Sequence, residues 1–336
     1  MKKYHNGLVI GKFYPFHRGH QYLIESALKQ SKNLTVIVCH IDQKYDIDCA
    51  TRVGWIKELY PQIEVIGYLT DPSLDSTSSE LSPAWAKIVI KLLGHAPDAV
   101  FSSEDYGITF ARCMGCPHVM VDRKRATIPI SGTAIRSNPY KYWEYLSEPV
   151  RSFYTQRIVV LGAESTGTTT LAKSLAKHYQ APWVPEYGRT YSEGRFTIRQ
   201  SLSDWKTTEF LHIAAAQNSL EDALARKSNG VLICDTDAFA TRLWHERYMG
   251  FLSDDLDNIV NTQNKCLYIL TGDEIPFVQD GVRDGEHIRH QMHRRFVDEL
   301  EKHHLPYLLV TGSRQKRLST AIKAIDNLLL AHPSKT

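Results

Sequence analysis

The chain has 336 residues, 43% of them hydrophobic and 23% charged, a globular composition with enough apolar material for about two domains. Lys and Arg total 40 against 37 Asp and Glu, and a net charge of +3 is too small to mark a polyelectrolyte binder of nucleic acid. No apolar run approaches the ~20 residues of a membrane span. The opening Met1-Lys2-Lys3-Tyr4-His5 leads into a strand-like stretch with no apolar leader core, so a cytoplasmic protein with no membrane partner is expected.

Short β-branched runs alternate with helical patterns along the whole chain. Leu8 to Ile10, Leu34 to Cys39, Glu64 to Ile66, Ala99 to Phe101 and His118 to Val121 read as strands of a first unit. Ile158 to Leu161, a short run before Pro185, Val231 to Cys234, Leu267 to Leu270 and Tyr307 to Val310 read as strands of a second. Between them fall helical stretches such as Tyr22 to Lys29 and Leu171 to Tyr179. Nearly continuous apolar strands separated by helices predict parallel sheets covered on both faces. Ser137-Asn138-Pro139 breaks the pattern, and a Tyr- and Trp-rich segment, expected to be helical, runs from Tyr140 to Tyr145 before Pro149. The expected boundary lies in residues 137–157, dividing the chain into domains 1–150 and 151–336. The six cysteines include one Cys-x-x-Cys pair, Cys113 and Cys116, without the second pair or the histidines that a zinc site needs, so reduced thiols are expected.

The first strand ends at Gly11, and Lys12-Phe13-Tyr14-Pro15-Phe16-His17-Arg18-Gly19-His20 leads into a helix. In an open parallel sheet, ligands bind beyond the carboxyl ends of the strands, where helix N-termini favour anions. His17 and His20, three residues apart across the helix start, can face one anion. Gly19 lets a phosphate approach the backbone, and Lys12 adds charge. Far downstream, Ile130-Ser131-Gly132-Thr133-Ala134-Ile135-Arg136 places the hydroxyls of Ser131 and Thr133 and the Arg136 guanidinium at another helix start. A guanidinium grips phosphate bidentately.

These two segments, in this order and about 110 residues apart, resemble the HxGH and ISxTxIR signature pair of adenylyltransferases. The opening Gly-Lys-Phe-Tyr-Pro-Phe-His looks most like nicotinamide mononucleotide (NMN) adenylyltransferases of the archaeal and NadR-like branch. The resemblance implies a Rossmann-like nucleotidyltransferase domain in which the NMN phosphate attacks the α-phosphorus of ATP, giving NAD and pyrophosphate. It implies that His17 and His20 hold the α- and β-phosphates, and that Lys12 and Arg136 hold the triphosphate tail with Mg²⁺ bridging. Trp85, between the third and fourth strands, would stack on the pyridinium ring, as a cation over an aromatic face should. Trp55 is expected in the core.

In the second unit, Gly162-Ala163-Glu164-Ser165-Thr166-Gly167-Thr168-Thr169-Thr170 has the spacing of a Walker A loop between strand and helix, whose backbone N–H groups wrap nucleotide phosphates. The lysine position holds Thr168, which brings no charge, while Thr169 keeps the hydroxyl that faces Mg²⁺. Asp235 and Asp237 end an apolar strand in Walker B fashion, and Glu186 follows another strand. Asp280-Gly281-Val282-Arg283 opens a charged stretch that continues through Arg289, Arg294 and Arg295.

The order Walker A, Pro-Glu-Tyr-Gly-Arg, Asp-Thr-Asp, Gln-Asp-Gly-Val-Arg resembles the P-loop ribosylnicotinamide kinase domain of NadR-type bifunctional proteins, so the resemblance spans roughly residues 5 to 330. By it, the 5′-hydroxyl of nicotinamide riboside attacks the γ-phosphate of ATP, with Mg²⁺ on Thr169 and Asp235 and with Glu186 or Asp235 orienting or deprotonating the hydroxyl. Asp280 would meet substrate, and Arg283 would carry charge to the phosphates in place of the lysine. Some relatives carry an N-terminal helix-turn-helix domain. A chain whose first strand starts near residue 7 is expected to lack one and not to bind DNA. Two alternatives stay open: a P-loop domain that only senses nucleotide, and an acceptor other than NMN. A homo-oligomer is compatible with the sequence, which does not set the oligomeric state.

Overall fold

The structure is a computed structural model that describes residues 2–76, 78–199, 204–260, 265–279 and 285–330. The chain divides into two compact units, Met1–Val150 and Arg151–Pro333. The first contains β1 (Tyr4–Gly11), α1 (Arg18–Gln30), β2 (Ser31–His40), α2 (Cys49–Leu59), β3 (Glu64–Leu69) and α3 (Ser82–Leu93). It continues with β4 (Ala99–Ser102), α4 (Tyr106–Cys113), β5 (His118–Met120) and α5 (Gly132–Ser137). The division of the chain falls within α6 (Glu148–Tyr154). The second unit begins with β6 (Gln156–Leu161), α7 (Thr168–Tyr179), β7 (Trp183–Val184), α8 (Tyr187–Arg199), α9 (Thr207–Ala225) and β8 (Val231–Asp235). It ends with α10 (Ala238–Met249), α11 (Asp254–Val260), β9 (Leu267–Thr271), α12 (Arg289–Lys302), β10 (Tyr307–Val310) and α13 (Arg314–Leu330).

Each unit is built on a five-stranded, all-parallel sheet, in the order β3-β2-β1-β4-β5 in the first and β10-β9-β6-β8-β7 in the second. The expected strands are all present, and the reason is visible in β6. Ile158 and Val160 pack with Leu171, Ala172 and Leu175 of α7 and with Ala321 and Ile325 of α13. Val159 and Leu161 pack on the opposite face with Phe239 and Leu243 of α10 and Phe296 of α12. A strand buried on both faces has no polar positions, which is why it reads as a continuous apolar run. In the first unit Leu8, Ile10, Ile37 and Val100 pack against Ala86 and Val89 of α3 and Phe110 of α4. Trp55 is buried as expected.

In both sheets the connections switch sides next to the first strand, so its carboxyl end opens on a crevice. The segment before α6 differs from expectation. Trp143–Tyr145 forms only a single 3₁₀ turn, and Pro149 lies in the first turn of α6 instead of after a helix. A proline is tolerated there because the first-turn N–H groups have no helical acceptor. Among the described residues, no helix is long and apolar enough to cross a membrane.

Candidate active sites

In the first unit, Phe13 and Phe16 are buried and anchor the loop between β1 and α1. His17 then caps α1, its Nδ1 accepting from Gly19 N at 3.1 Å. With Nδ1 accepting, the imidazole proton sits on Nε2, free to be donated to an anion. The His17 and His20 rings stack with centroids 3.7 Å apart, and Phe13 meets the His20 ring edge-on at 5.0 Å. Burial, with the Arg125 guanidinium nearby, pushes His17 down to about 3; burial, His17 and Arg125 hold His20 well below its ordinary value. Both rings are therefore neutral near pH 7, so each can meet an anion as a hydrogen-bond donor and not as a cation.

The second candidate anion site lies against the same loop. Ser131 caps α5 by accepting from Ala134 N at 3.1 Å. Gly132 approaches the loop so closely that a Cβ there would lie 2.5 Å from the Tyr14 carbonyl oxygen. Arg136 donates to that same carbonyl and, at 3.1 Å, to Thr133 Oγ1, with its guanidinium 4.6 Å from the centre of the Tyr14 ring. The sequence-predicted residues Lys12, His17, Gly19, His20, Trp85, Ser131, Thr133 and Arg136 thus line one cavity of about 660 Å³. Trp85 packs edge-on against Tyr68 and donates from Nε1 to the Leu74 carbonyl at 3.2 Å, which fixes the plane of its ring. Lys12 pairs with Asp75 at 2.7 Å, and Lys44 also pairs with that carboxylate, so the lysine expected on the triphosphate has a protein partner here.

Arg125 stands outside every motif in the sequence, although it lies beyond the carboxyl end of β5, where ligands collect. It lines the same cavity, on a loop held by Asp122, whose carboxylate accepts from the backbone N–H groups of Ala126, Thr127 and Ile128.

In the second unit, the loop from Gly162 to Gly167 turns from β6 into α7. Gly167 has φ 85°, a left-handed conformation that favours glycine. The Thr166 hydroxyl donates to the Ala163 carbonyl at 2.7 Å and lies 2.7 Å from Thr271 Oγ1. Arg317 of α13 donates to the carbonyl oxygens of Thr166 at 2.7 Å, Gly312 at 3.0 Å and Gly272 at 3.1 Å, and pairs with Glu274 at 2.6 Å. The Glu164 carboxylate accepts from Gly285 N at 2.8 Å. These contacts set the shape of the loop.

Asp235 ends β8 beside β6, and Val160 is its register partner. Burial pushes its carboxyl up to about 6, against hydrogen bonds to the Thr169 and Thr168 side chains and the fields of Lys173 and Arg189. Asp237 serves the scaffold instead. It caps α10 by accepting from Ala240 N and takes a 2.9 Å hydrogen bond from Tyr268. Gly162, Thr168, Thr169 and Glu186 line a cavity of about 160 Å³, with Arg189. Gly167 and Thr170 are exposed and lie outside the lining of that cavity. Asp280 and Arg283 lie outside the described residues.

Comparison with known proteins bears on both units. The family described as AAA domain matches residues 157–317, and the family described as citrate lyase ligase C-terminal domain matches residues 6–73. The chain is 28% identical over 328 residues to the trifunctional NAD biosynthesis/regulator protein NadR of Escherichia coli (strain K12), a match covering 90% of this chain and 78% of that protein. It is 27% identical over 296 residues to the same-named protein of Salmonella typhimurium (strain LT2), covering 82% of this chain and 71% of that one. The chain is homologous to NadR. Its fold is also that of two solved NadR structures, each 20% identical in sequence. The structure of NadR in complex with NAD and AMP-PNP has a TM-score of 0.76 and covers 98% of this chain and 97% of its own. The structure of NadR in complex with NR has a TM-score of 0.78, with 100% and 99% covered.

The first-unit candidates share one cavity, whereas in the second unit Gly162, Thr168, Thr169 and Glu186 share a cavity whose lining does not include Gly167, Thr170 or Asp235. Arg125 is an addition outside every motif, while Arg189 closes the Pro-Glu-Tyr-Gly-Arg segment, whose pattern assigns it no role. They are found by where the strand ends place them.

Proposed function

We propose that the chain makes NAD in two steps at two sites, phosphorylating nicotinamide riboside to NMN with ATP in the second unit and transferring AMP from ATP to NMN in the first. The observation that carries the reading is the stacked, neutral His17–His20 pair at the start of α1, facing the same cavity as Ser131, Thr133 and Arg136. The NadR homology along both units supports it.

In the first unit an NMN phosphate oxygen attacks the α-phosphorus of ATP, the bond from that phosphorus to the bridging oxygen breaks, and pyrophosphate leaves. His17 Nε2–H and His20 donate to the oxygens on which charge builds, where fixed donors in an enclosed site are worth most. Arg125 and Arg136 neutralise the phosphate tail, and Lys12 joins them by exchanging Asp75 for phosphate. The indole of Trp85, its plane fixed by Leu74, offers a face to the pyridinium cation.

In the second unit the riboside 5′-oxygen attacks the γ-phosphorus, the γ-phosphorus to bridging-oxygen bond breaks, ADP leaves, and the hydroxyl proton passes to a carboxylate. Glu186 lines the cavity, and Asp235 stands with the Thr169 and Thr168 side chains; either carboxylate can orient or take the proton of the hydroxyl. Mg²⁺ fits Asp235 and the Thr169 hydroxyl, both hard oxygen donors within hydrogen-bond reach of each other. Bound there, it would neutralise phosphate charge. Among the described residues no group of three His, Cys, Asp or Glu gathers to hold a metal. A magnesium bound mainly by phosphates and water does not need one.

The test is the purified full chain with ATP and Mg²⁺, supplied with NMN or nicotinamide riboside and with a panel of other phosphate esters. NAD and pyrophosphate form from NMN, and NMN and ADP form from the riboside; the absence of either product pair refutes that half. Thr168 at the lysine position favours a second reading of the second unit, as a nucleotide sensor, which predicts ATP binding without riboside-dependent ADP.

A further inference from the structure

Thr168 leaves the phosphate loop without its usual cation. A triphosphate in that loop still carries charge that must be matched by something near its γ end. The surrounding cations divide clearly by what they touch. Arg317 is committed to three backbone carbonyls and Glu274. Lys173 is exposed, with its Nζ 4.5 Å from the centre of the Trp183 ring. Arg289 is buried against the Ser165 carbonyl at 3.4 Å, and Arg247 lies 3.8 Å from Glu164. Arg289, Arg247, Lys173 and Arg317 are all absent from the cavity lining. Among the described residues, the one basic side chain that lines the cavity shared by Thr168, Thr169 and Glu186 is Arg189.

We infer that Arg189 supplies, from α8, the cationic contact to the γ-phosphate of ATP that Thr168 cannot supply from the loop. The inference rests on the reading of the second unit as an ATP site. Arg189 stands in the first turn of α8, three residues after Glu186, so the guanidinium and the candidate base are delivered by one rigid turn. That turn is pinned from behind, since Tyr187 N donates to Gln217 Oε1 at 3.0 Å and Tyr191 donates to Glu209 at 3.2 Å. The fields of both Lys173 and Arg189 reach Asp235, where the Thr168 and Thr169 hydroxyls converge, but of the two only Arg189 lines the cavity. Its ion pair with Glu193, at 2.8 Å, is a half-exposed i,i+4 pair, and a phosphate competes readily with such a pair. The planar guanidinium then offers two parallel donors to one phosphate.

The experiment uses the full chain as wild type, Arg189→Ala, Thr168→Lys and the double variant. Single-turnover phosphorylation of nicotinamide riboside and the separate affinities for ATP and ADP are measured. Arg189→Ala lowers phosphorylation by at least about a hundredfold and abolishes most of the preference for ATP over ADP, with AMP transfer to NMN unchanged. Thr168→Lys, which returns an ammonium to the loop, recovers at least about tenfold in the Arg189→Ala background. A residue that merely shaped α8 would not be rescued by a lysine on a different element. Wild-type phosphorylation and ATP preference in Arg189→Ala overturn the inference, as does a loss that leaves the ATP preference intact and that Thr168→Lys does not rescue. A wild type that binds ATP but never phosphorylates the riboside overturns the kinase reading instead, and the two nucleotide affinities still decide the role of Arg189.

Discussion

Gly132→Ala is a demanding test of how the first site is assembled. Gly132 opens α5, and the added methyl would lie 2.5 Å from the Tyr14 carbonyl oxygen, a backbone atom, and 3.2 Å from Arg136 Nη1. Ordinary contact begins near 3.4 Å. The helix start and the histidine loop must therefore separate by about 0.9 Å, the difference between the two distances. The same carbonyl accepts the Arg136 hydrogen bond, so the guanidinium moves as well. A misplacement of about 1 Å between catalytic groups costs on the order of a hundredfold in rate. Alanine is also the better helix former, by up to ~1 kcal/mol, which offsets part of the ~1–3 kcal/mol cost of the clash, so the loss should be larger in rate than in stability. The assay is NAD formation from NMN and ATP, with riboside phosphorylation by the same preparation as the control. An alanine variant with near-normal NAD formation, or one that loses both activities together, would refute the close approach as the feature that assembles the site.

His20→Ala should lower kcat for NAD formation at least about a hundredfold with little change in the KM for NMN, because its donated bond strengthens in the transition state; near-normal turnover removes His20 from the mechanism. Acid should destabilise the first unit through His17. Its folded value is about 3 against an ordinary 6.5, so the unfolded chain takes up a proton first and stability is lost as pH falls below 6.5. The loss is about 2 kcal/mol between pH 6.5 and pH 5, measured as the difference in urea unfolding between wild type and His17→Asn; equal pH slopes in the two proteins contradict it. Residues 1–150 expressed alone should fold and form NAD, and an insoluble or inactive fragment beside an active full chain would show that the two units depend on each other.

The fold is legible in the sequence because the strands are sealed on both faces. Runs such as Ile158 to Leu161 have no polar position to confuse the pattern, and the nucleotide-binding loops follow the first strand of each sheet. Helix starts are legible where the capping residue is also a candidate site residue, as at His17 and Ser131. Pro149 misleads because a proline that ends a helix and one that begins it look alike without their neighbours. Lys12 shows a different limit: its partner Asp75 lies 63 residues away on another loop, and no spacing rule links them. Arg125 is hidden for the same reason, and the Pro-Glu-Tyr-Gly-Arg segment contains Arg189 without showing what it faces. Their significance lies in the cavities they line, which form only when strand ends from distant parts of the chain converge.

Arg317 has a consequence for the order in which the protein is made. It fastens the phosphate loop, through Thr166, to the ends of β9 and β10, yet it belongs to α13, some 150 residues after that loop in synthesis. While the ribosome is still adding the last strand, the first unit already has every residue of its cavity. The loop of the second unit can be complete in sequence but still lacks the side chain that holds three of its surrounding carbonyls. A nascent chain would therefore gain its two proposed activities in sequence, AMP transfer first and riboside phosphorylation only after α13 has emerged and docked.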